Sequence, residues 1–174
     1  YSEPDAGTDL ASLRTSATKR RDEVGEYWEV NGQKMWTTGA HDADYIWLAC
    51  RTDPNAAKHK GISILIVDTK DPGYSWTPII LSDGAHHTNA SYYNDVRVPT
   101  DMLVGEENGG WKLVTNQLNH ERVALVSAQP IFTALDGVRE WAQNTKDARG
   151  ERLIDSEWVQ LNLARVHAKA EVLK

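Results

Sequence analysis

Glu26-Tyr27-Trp28-Glu29-Val30-Asn31-Gly32-Gln33-Lys34-Met35-Trp36, EYWEVNGQKMW in one-letter code, decides how the first half of the chain is read. Two short runs rich in aromatic and aliphatic residues flank Asn31-Gly32. A two-residue Asn-Gly loop is the strongest local hairpin signal, because both positions tolerate positive φ. The register that follows sets Glu29 opposite Lys34 and Tyr27 opposite Trp36 on one face, with Trp28 opposite Met35 on the other. Opposite charges and aromatic pairs then meet across the strands. Outward from this pair, Tyr45–Cys50, Ile62–Val67 and Ala90–Val98 read as further strands, the last stopped by Pro99. Asp53-Pro54-Asn55 and Asp71-Pro72-Gly73 read as turns. Short strands separated by turn signals at intervals of roughly 8–15 residues predict an antiparallel β-barrel or sandwich.

The period becomes helical near Gly105. One helix is predicted from about Gly109 to Trp141, with a kink or break at Pro130. Another begins at Asp155-Ser156-Glu157, a cap with an acid in its first turn, and carries Val159, Leu163, Val166, Ala170 and Leu173. The polar segment between them, Asn144–Asp155, is expected to be exposed. Two helices cannot close a bundle alone. The chain also opens on Tyr1 and closes inside a helical pattern at Lys174, so it reads as a piece of a longer protein. The fold class is α+β by segments: a β-domain over residues 1–105, then the first helices of an incomplete four-helix bundle over 106–174.

Bulk properties narrow the function. The 174 residues are 40% apolar, with seven tryptophans and one phenylalanine, enough for a packed core. A net charge of −6 argues against a nucleic-acid surface, which would want clustered basic residues. Lys19-Arg20-Arg21 runs straight into Asp22-Glu23 and reads as a solvated turn. With Cys50 alone there is no disulfide framework and no cysteine zinc site, which fits a reducing, cytoplasmic setting. No apolar run approaches the ~20 residues of a membrane span, and no signal peptide is evident. His41-Asp42 with Asp44, and the adjacent His86-His87, match no standard metal-ligand spacing, so no metal is expected.

Three stretches carry candidate chemistry. Ser2-Glu3-Pro4-Asp5-Ala6-Gly7-Thr8-Asp9 is rich in turn formers and backbone donors; it reads as an anion-cradling loop or as an ordinary one. Trp36-Thr37-Thr38-Gly39 joins an aromatic to two hydroxyls, either a platform for a flat cofactor or a core tryptophan. On a wheel of about 100° per residue, Val114, Leu118, Glu121, Leu125 and Phe132 fall within roughly 60°. Glu121 is thus predicted in the middle of an apolar stripe, where a carboxylate is costly unless paired or used. It reads either as a buried ion-pair partner or as a general base tuned by an apolar wall. Arg122 lies at the stripe's edge, placed to meet an anion.

In order, YSEPDAGTDL (1–10), EVNGQKMWTTGAHDADYIWLACRTDP (29–54) and YNDVRVPTDMLVGEENGGWKLVTNQLNHERVAL (93–125) resemble the acyl-CoA dehydrogenase family over about the first 140 residues. The resemblance implies the family's middle β-domain and the opening helices of its C-terminal domain. It implies FAD as cofactor and an acyl-CoA thioester as substrate, desaturated between Cα and Cβ. Electrons would pass to an electron-transfer flavoprotein from a homo- or hetero-oligomer, a dimer or tetramer. By resemblance Ser2, Thr8, Trp36, Thr37 and Thr38 contact the flavin. Thr8, Asn119, Glu121 and Arg122 face the substrate, and Glu121 is the base. Where most members carry Arg-x-x-Phe-Gly, this chain reads TKDARGERLID (145–155), which points to a partner subunit completing the site. GAHHTNASYY (84–93), HKGISILIV (59–67) and the late RLID and WVQLNLARVHA segments resemble actinobacterial members linked to steroid-type CoA thioesters. Two alternatives remain: a non-catalytic partner subunit, and an acyl-CoA oxidase-type flavoenzyme.

Overall fold

A computed structural model describes residues 1–124 and 127–173, in two compact units, Tyr1–Asn116 and Gln117–Lys174. The first unit carries seven strands: β1 (Ser16–Arg21), β2 (Glu26–Lys34), β3 (Tyr45–Arg51), β4 (Ile62–Asp68), β5 (Tyr74–Ile80), β6 (His86–Pro99) and β7 (Leu103–Val104). They form one sheet in the order β5-β6-β2-β1-β3-β4-β7, antiparallel except for a single parallel contact between β1 and β3. Ala17, Trp28, Val30, Ile46, Leu48, Leu65, Val67, Tyr74, Tyr93, Val96 and Val98, drawn from β1 to β6, belong to one buried cluster. The sheet therefore curls around a common core, as the β-barrel or sandwich reading requires. Each fully buried aliphatic side chain there contributes about 1.5–3 kcal/mol.

The expected hairpin at Asn31-Gly32 is absent. β2 runs unbroken from Glu26 to Lys34, and its pairing with β6 shifts register between Val30 and Gly32. Glycine is needed here for clearance: a Cβ on Gly32 would lie 2.5 Å from Thr15 Oγ1 and 2.7 Å from Thr15 Cα. Such close approach at a bulge is the other common role of a strand glycine. The hairpin that does form joins β1 to β2 through Asp22–Gly25, where Asp22 Oδ1 accepts from the Val24 and Gly25 amides. Lys19, Arg20 and Arg21 thus belong to a strand and not to the turn. Glu29 pairs with Arg20, and Lys34 with Glu3.

The predicted strands at 45–50, 62–67 and 90–98 are present, as β3, β4 and part of β6. Both Asp-Pro turns form, their Asp53 and Asp71 carboxylates capping the amides of Asn55 and Gly73. β4 is buried on both faces from Ile62 to Leu65, because the first turn of helix α1 (Gly110–Ala124) lies on it. A Cβ on Gly110 would sit 2.8 Å from the Ser63 backbone. Asn108 ties this junction down through its amide to Ser63 Oγ (2.8 Å) and its Oδ1 to Thr52 Oγ1 (2.6 Å).

The long helix expected from Gly109 to Trp141 is divided into α1 and α2 (Gln129–Asn144), with Pro130 in the first turn of α2. Proline is tolerated there because those amides lack intrahelical acceptors. α3 (Glu157–Glu171) starts after Ser156 as expected, without a hydrogen bond from the Ser156 side chain. Leu135 and Ala142 of α2 and Ala170 of α3 are buried, whereas Val166 and Leu173 of the expected α3 stripe are exposed. No helix among the described residues is long and apolar enough to cross a membrane.

Candidate functional site

The end of β2 and the chain's first loop are built together. Lys34 Nζ donates to Glu3 Oε1 at 2.8 Å and to the Tyr1 carbonyl at 3.0 Å, with both side chains of the ion pair almost fully enclosed. The Glu3 carboxylate also accepts from the Arg14 amide (2.6 Å) and the Thr15 amide (2.9 Å). Burial alone would raise the Glu3 carboxyl. The Lys34 charge and these hydrogen bonds outweigh it and hold the group below the usual carboxylate range. One residue along each segment, the Met35 amide donates to the Ser2 carbonyl at 2.8 Å. Ser2 is thereby fixed beside the residue that precedes Trp36. Thr8, farther along the loop, is exposed.

Past Lys34 the chain leaves the ladder and rejoins β6 three residues on, at Thr37. The Thr37 amide donates to the Asn89 carbonyl (2.9 Å), and the Gly39 amide to the His87 carbonyl (3.0 Å). Between them, the Thr38 amide closes a tight turn onto the Trp36 carbonyl at 3.0 Å. Trp36 itself adopts φ 62°, the left-handed region. A bulky residue there costs roughly 1–3 kcal/mol and persists only where its surroundings over-determine it. Trp36 is 58% exposed, a large apolar side chain at the surface of the unit. The hydroxyls of Ser2, Thr8, Thr37 and Thr38 make no hydrogen bond to another described residue. A strained, exposed indole followed directly by two unengaged threonine hydroxyls can stack on a flat ring system and bond its polar edge.

Asn89, His41 and His86 escaped the sequence reading, which weighed the histidines only as metal ligands. Asn89 is fully buried, and its side chain contacts the Thr37 carbonyl, His41 and His86. Nothing local in the sequence marks it. Among the described residues no group of three or more metal-ligating side chains converges.

In the second unit, Asn119, Glu121 and Arg122 lie on the C-terminal half of α1, and all three are exposed. The predicted apolar stripe is buried at Val114 and half-buried at Leu118 and Phe132; Leu125 lies outside the described residues. Glu121 is therefore exposed on the described part of α1, and not enclosed by the stripe on which the sequence placed it. The candidate residues fall into two groups that are described separately: Ser2, Thr8, Trp36, Thr37 and Thr38 in the first unit, and Asn119, Glu121 and Arg122 in the second.

Comparisons with known proteins fit this division. Residues 1–96 match the acyl-CoA dehydrogenase middle domain, and residues 108–174 match the acyl-CoA dehydrogenase C-terminal domain. The chain is 67% identical over 177 residues to the acyl-CoA dehydrogenase FadE26 of Mycobacterium tuberculosis, an alignment covering 100% of this chain and 43% of that protein. Among solved structures it resembles the ChsE4-ChsE5 complex from Mycobacterium tuberculosis, with a TM-score of 0.84 and 68% identity over 99% of this chain and 43% of that one. It also resembles the Tcur3481-Tcur3483 steroid ACAD, with a TM-score of 0.84 and 48% identity over 99% and 42% of the respective chains. The chain spans less than half the length of these relatives. With both of its segments matched in order, and with the first loop and the Trp36 turn built side by side, the chain belongs to the acyl-CoA dehydrogenase family.

Proposed function

We propose that this chain supplies the flavin-facing β-domain, residues 1–105, and the base-bearing helix, within 106–174, of an FAD-dependent acyl-CoA dehydrogenase. The observation that carries the reading is the Trp36 turn: a strained, outward-facing indole followed by two unengaged threonine hydroxyls. That arrangement fits a flat tricyclic ring with polar edges. Trp36 would stack against the ring, Thr37 and Thr38 would donate to its edge, and Ser2 and Thr8 would close the site from the first loop. When bound, FAD supplies an acceptor for the hydride that leaves the substrate's Cβ.

The remaining chemistry belongs to this chain. An α-proton of a thioester is weakly acidic, so a base must be held close to it. Glu121, open on α1, takes that proton on its carboxylate as the Cα–Cβ double bond forms. Asn119 and Arg122, on the same stretch of helix, orient the acyl-CoA. The substrate is a CoA thioester with a bulky acyl group, a reading supported by the steroid ACAD among the relatives. Electrons would pass on to an electron-transfer flavoprotein, and the setting would be cytoplasmic.

The paired names of the related complexes support a hetero-oligomer, in which a second subunit would complete the flavin site. TKDARGERLID (145–155), which lacks the phenylalanine most members carry, supports the same arrangement. A second reading follows from it: a non-catalytic subunit that shapes a neighbour's site. Mass spectrometry of products decides between them. The full-length protein, with its partner and FAD, is offered fatty and sterol-derived acyl-CoA thioesters under an electron acceptor. A product two mass units lighter, formed at a site that needs this chain's Glu121, supports the dehydrogenase. Desaturation unaffected by loss of Glu121 leaves the non-catalytic subunit.

A further inference from the structure

Asn89 sits at 0% exposure on β6, at the point where the Trp36 turn returns to the sheet. Its backbone carbonyl accepts from the Thr37 amide (2.9 Å), and its side-chain Nδ2 donates to the Thr37 carbonyl (3.1 Å). One residue thus grips Thr37 at both its amide and its carbonyl. A carbonyl only accepts, so the amide nitrogen of Asn89 must face Thr37, which fixes the orientation of the whole group. Oδ1 then points to His86 Nε2 at 2.8 Å, and that nitrogen must carry a proton. The second Nδ2 proton points to His41 Nδ1 at 3.0 Å, and that nitrogen must be bare. The His41 proton falls on Nε2, which lies 3.3 Å from Asp42 Oδ2. The two imidazole rings stack at a centroid separation of 4.2 Å, with Trp76 5.8 Å from His86 and 5.9 Å from His41. Every hydrogen-bonding position of the amide except one Oδ1 lone pair is used, and each use fixes the next.

We infer that Asn89 is the positioning residue for the Trp36–Thr38 turn, held in its working orientation by His41 and His86. Through that turn it sets the angle at which the Trp36 indole and the two threonine hydroxyls meet their flat ligand, which on the reading above is the flavin. The strained φ of Trp36 needs such a support, because tight-turn geometry alone does not hold a bulky residue in the left-handed region.

The test uses the full-length protein with its partner and three variants. Asn89→Asp keeps the volume but turns an acceptor oxygen towards the Thr37 carbonyl, and Asn89→Leu removes both polar ends. Val96→Ala, a core substitution on the same strand, controls for lost stability. Two readouts are taken: FAD affinity with the visible circular dichroism of the bound flavin, and amide hydrogen exchange over residues 35–41 without flavin. We expect both Asn89 variants to weaken FAD binding by roughly tenfold, the effect of one good hydrogen bond, with an altered flavin dichroism. Exchange of the 35–41 amides should rise by a similar factor, while Val96→Ala leaves both readouts near wild type despite its lower melting temperature. The inference is overturned if the Asn89 variants keep wild-type exchange over 35–41, or if Val96→Ala changes flavin binding and exchange as much as they do. Failure of wild type itself to bind FAD would sink the proposed function instead. The exchange comparison would still decide whether Asn89 holds the turn.

Discussion

Removing Lys34 tests the construction of the site from the inside. In Lys34→Met the Glu3 carboxylate stays enclosed and loses its 2.8 Å ammonium partner, keeping only the Arg14 and Thr15 amides. Breaking a buried ion pair from one side costs about 3–5 kcal/mol, because it leaves an uncompensated charge. The two surviving amide donors place this case at the lower end, about 3 kcal/mol. For a β-domain of this size that corresponds to a fall in melting temperature of roughly 12–24 °C. Far-UV circular dichroism melts and urea titrations read the loss. Glu3→Gln should cost a comparable amount, since it leaves Lys34 buried without an anion. Acid behaviour supplies an independent arm. The folded Glu3 carboxyl titrates below its unfolded value. Its stabilisation is therefore complete above the unfolded carboxylate pKa of about 4.3 and is lost as pH falls through the folded value. Stability of wild type should decline over that window more steeply than that of Glu3→Gln. A loss below about 1 kcal/mol in both single variants, with identical acid limbs, would refute the view that this pair fastens the first loop to β2.

Gly32→Ala should destabilise the β-domain by about 1–3 kcal/mol, because its Cβ would collide with Thr15; a melt matching wild type would show that the strands can part. Asp22, bonded to Arg97 and to the Val24 amide, has its carboxyl held down to about 2. Its contribution is present above the unfolded pKa and lost as pH falls towards 2, so Asp22→Asn should be less stable than wild type near pH 6 and converge with it in strong acid. Persistent separation in acid would count against the pairing. Burial pushes the Cys50 thiol up to about 12, so it should resist alkylation by iodoacetamide at pH 8 in the folded protein and react only after denaturation. Prompt labelling of the native protein would contradict the closed core.

The sequence was most informative where a residue's role is local. Pro130 divides the helices because its ring excludes it from all but the first turn, and Asp53 and Asp71 cap their own turns. β3 and β4 were legible as apolar runs. β1 and β5 were not, because each has a largely exposed pattern: Ser16–Arg21 ends in three consecutive cations, and Tyr74–Ile80 contains Pro78. An edge position in the sheet lets β5 accept that proline. Asn31-Gly32 misled because a glycine needed for clearance from Thr15 looks, in sequence, like one needed for a turn. The site divides in the same way. Trp36, Thr37 and Thr38 stand out as an aromatic followed by hydroxyls. Glu3 and Lys34 lie 31 positions apart, and His41 and Asn89 lie 48 apart, and only the folded chain brings them together. Glu121 was expected under an apolar cover, yet it is exposed together with Asn119 and Arg122.

The most direct measurement is anaerobic bleaching of the flavin's visible absorption in the full-length protein, with its partner, on mixing with acyl-CoA substrates. Wild type should bleach, whereas Glu121→Gln should bind the same thioester, seen as a perturbed flavin spectrum, and leave the band intact. Equal bleaching by both would place the base elsewhere and contradict the role assigned to α1.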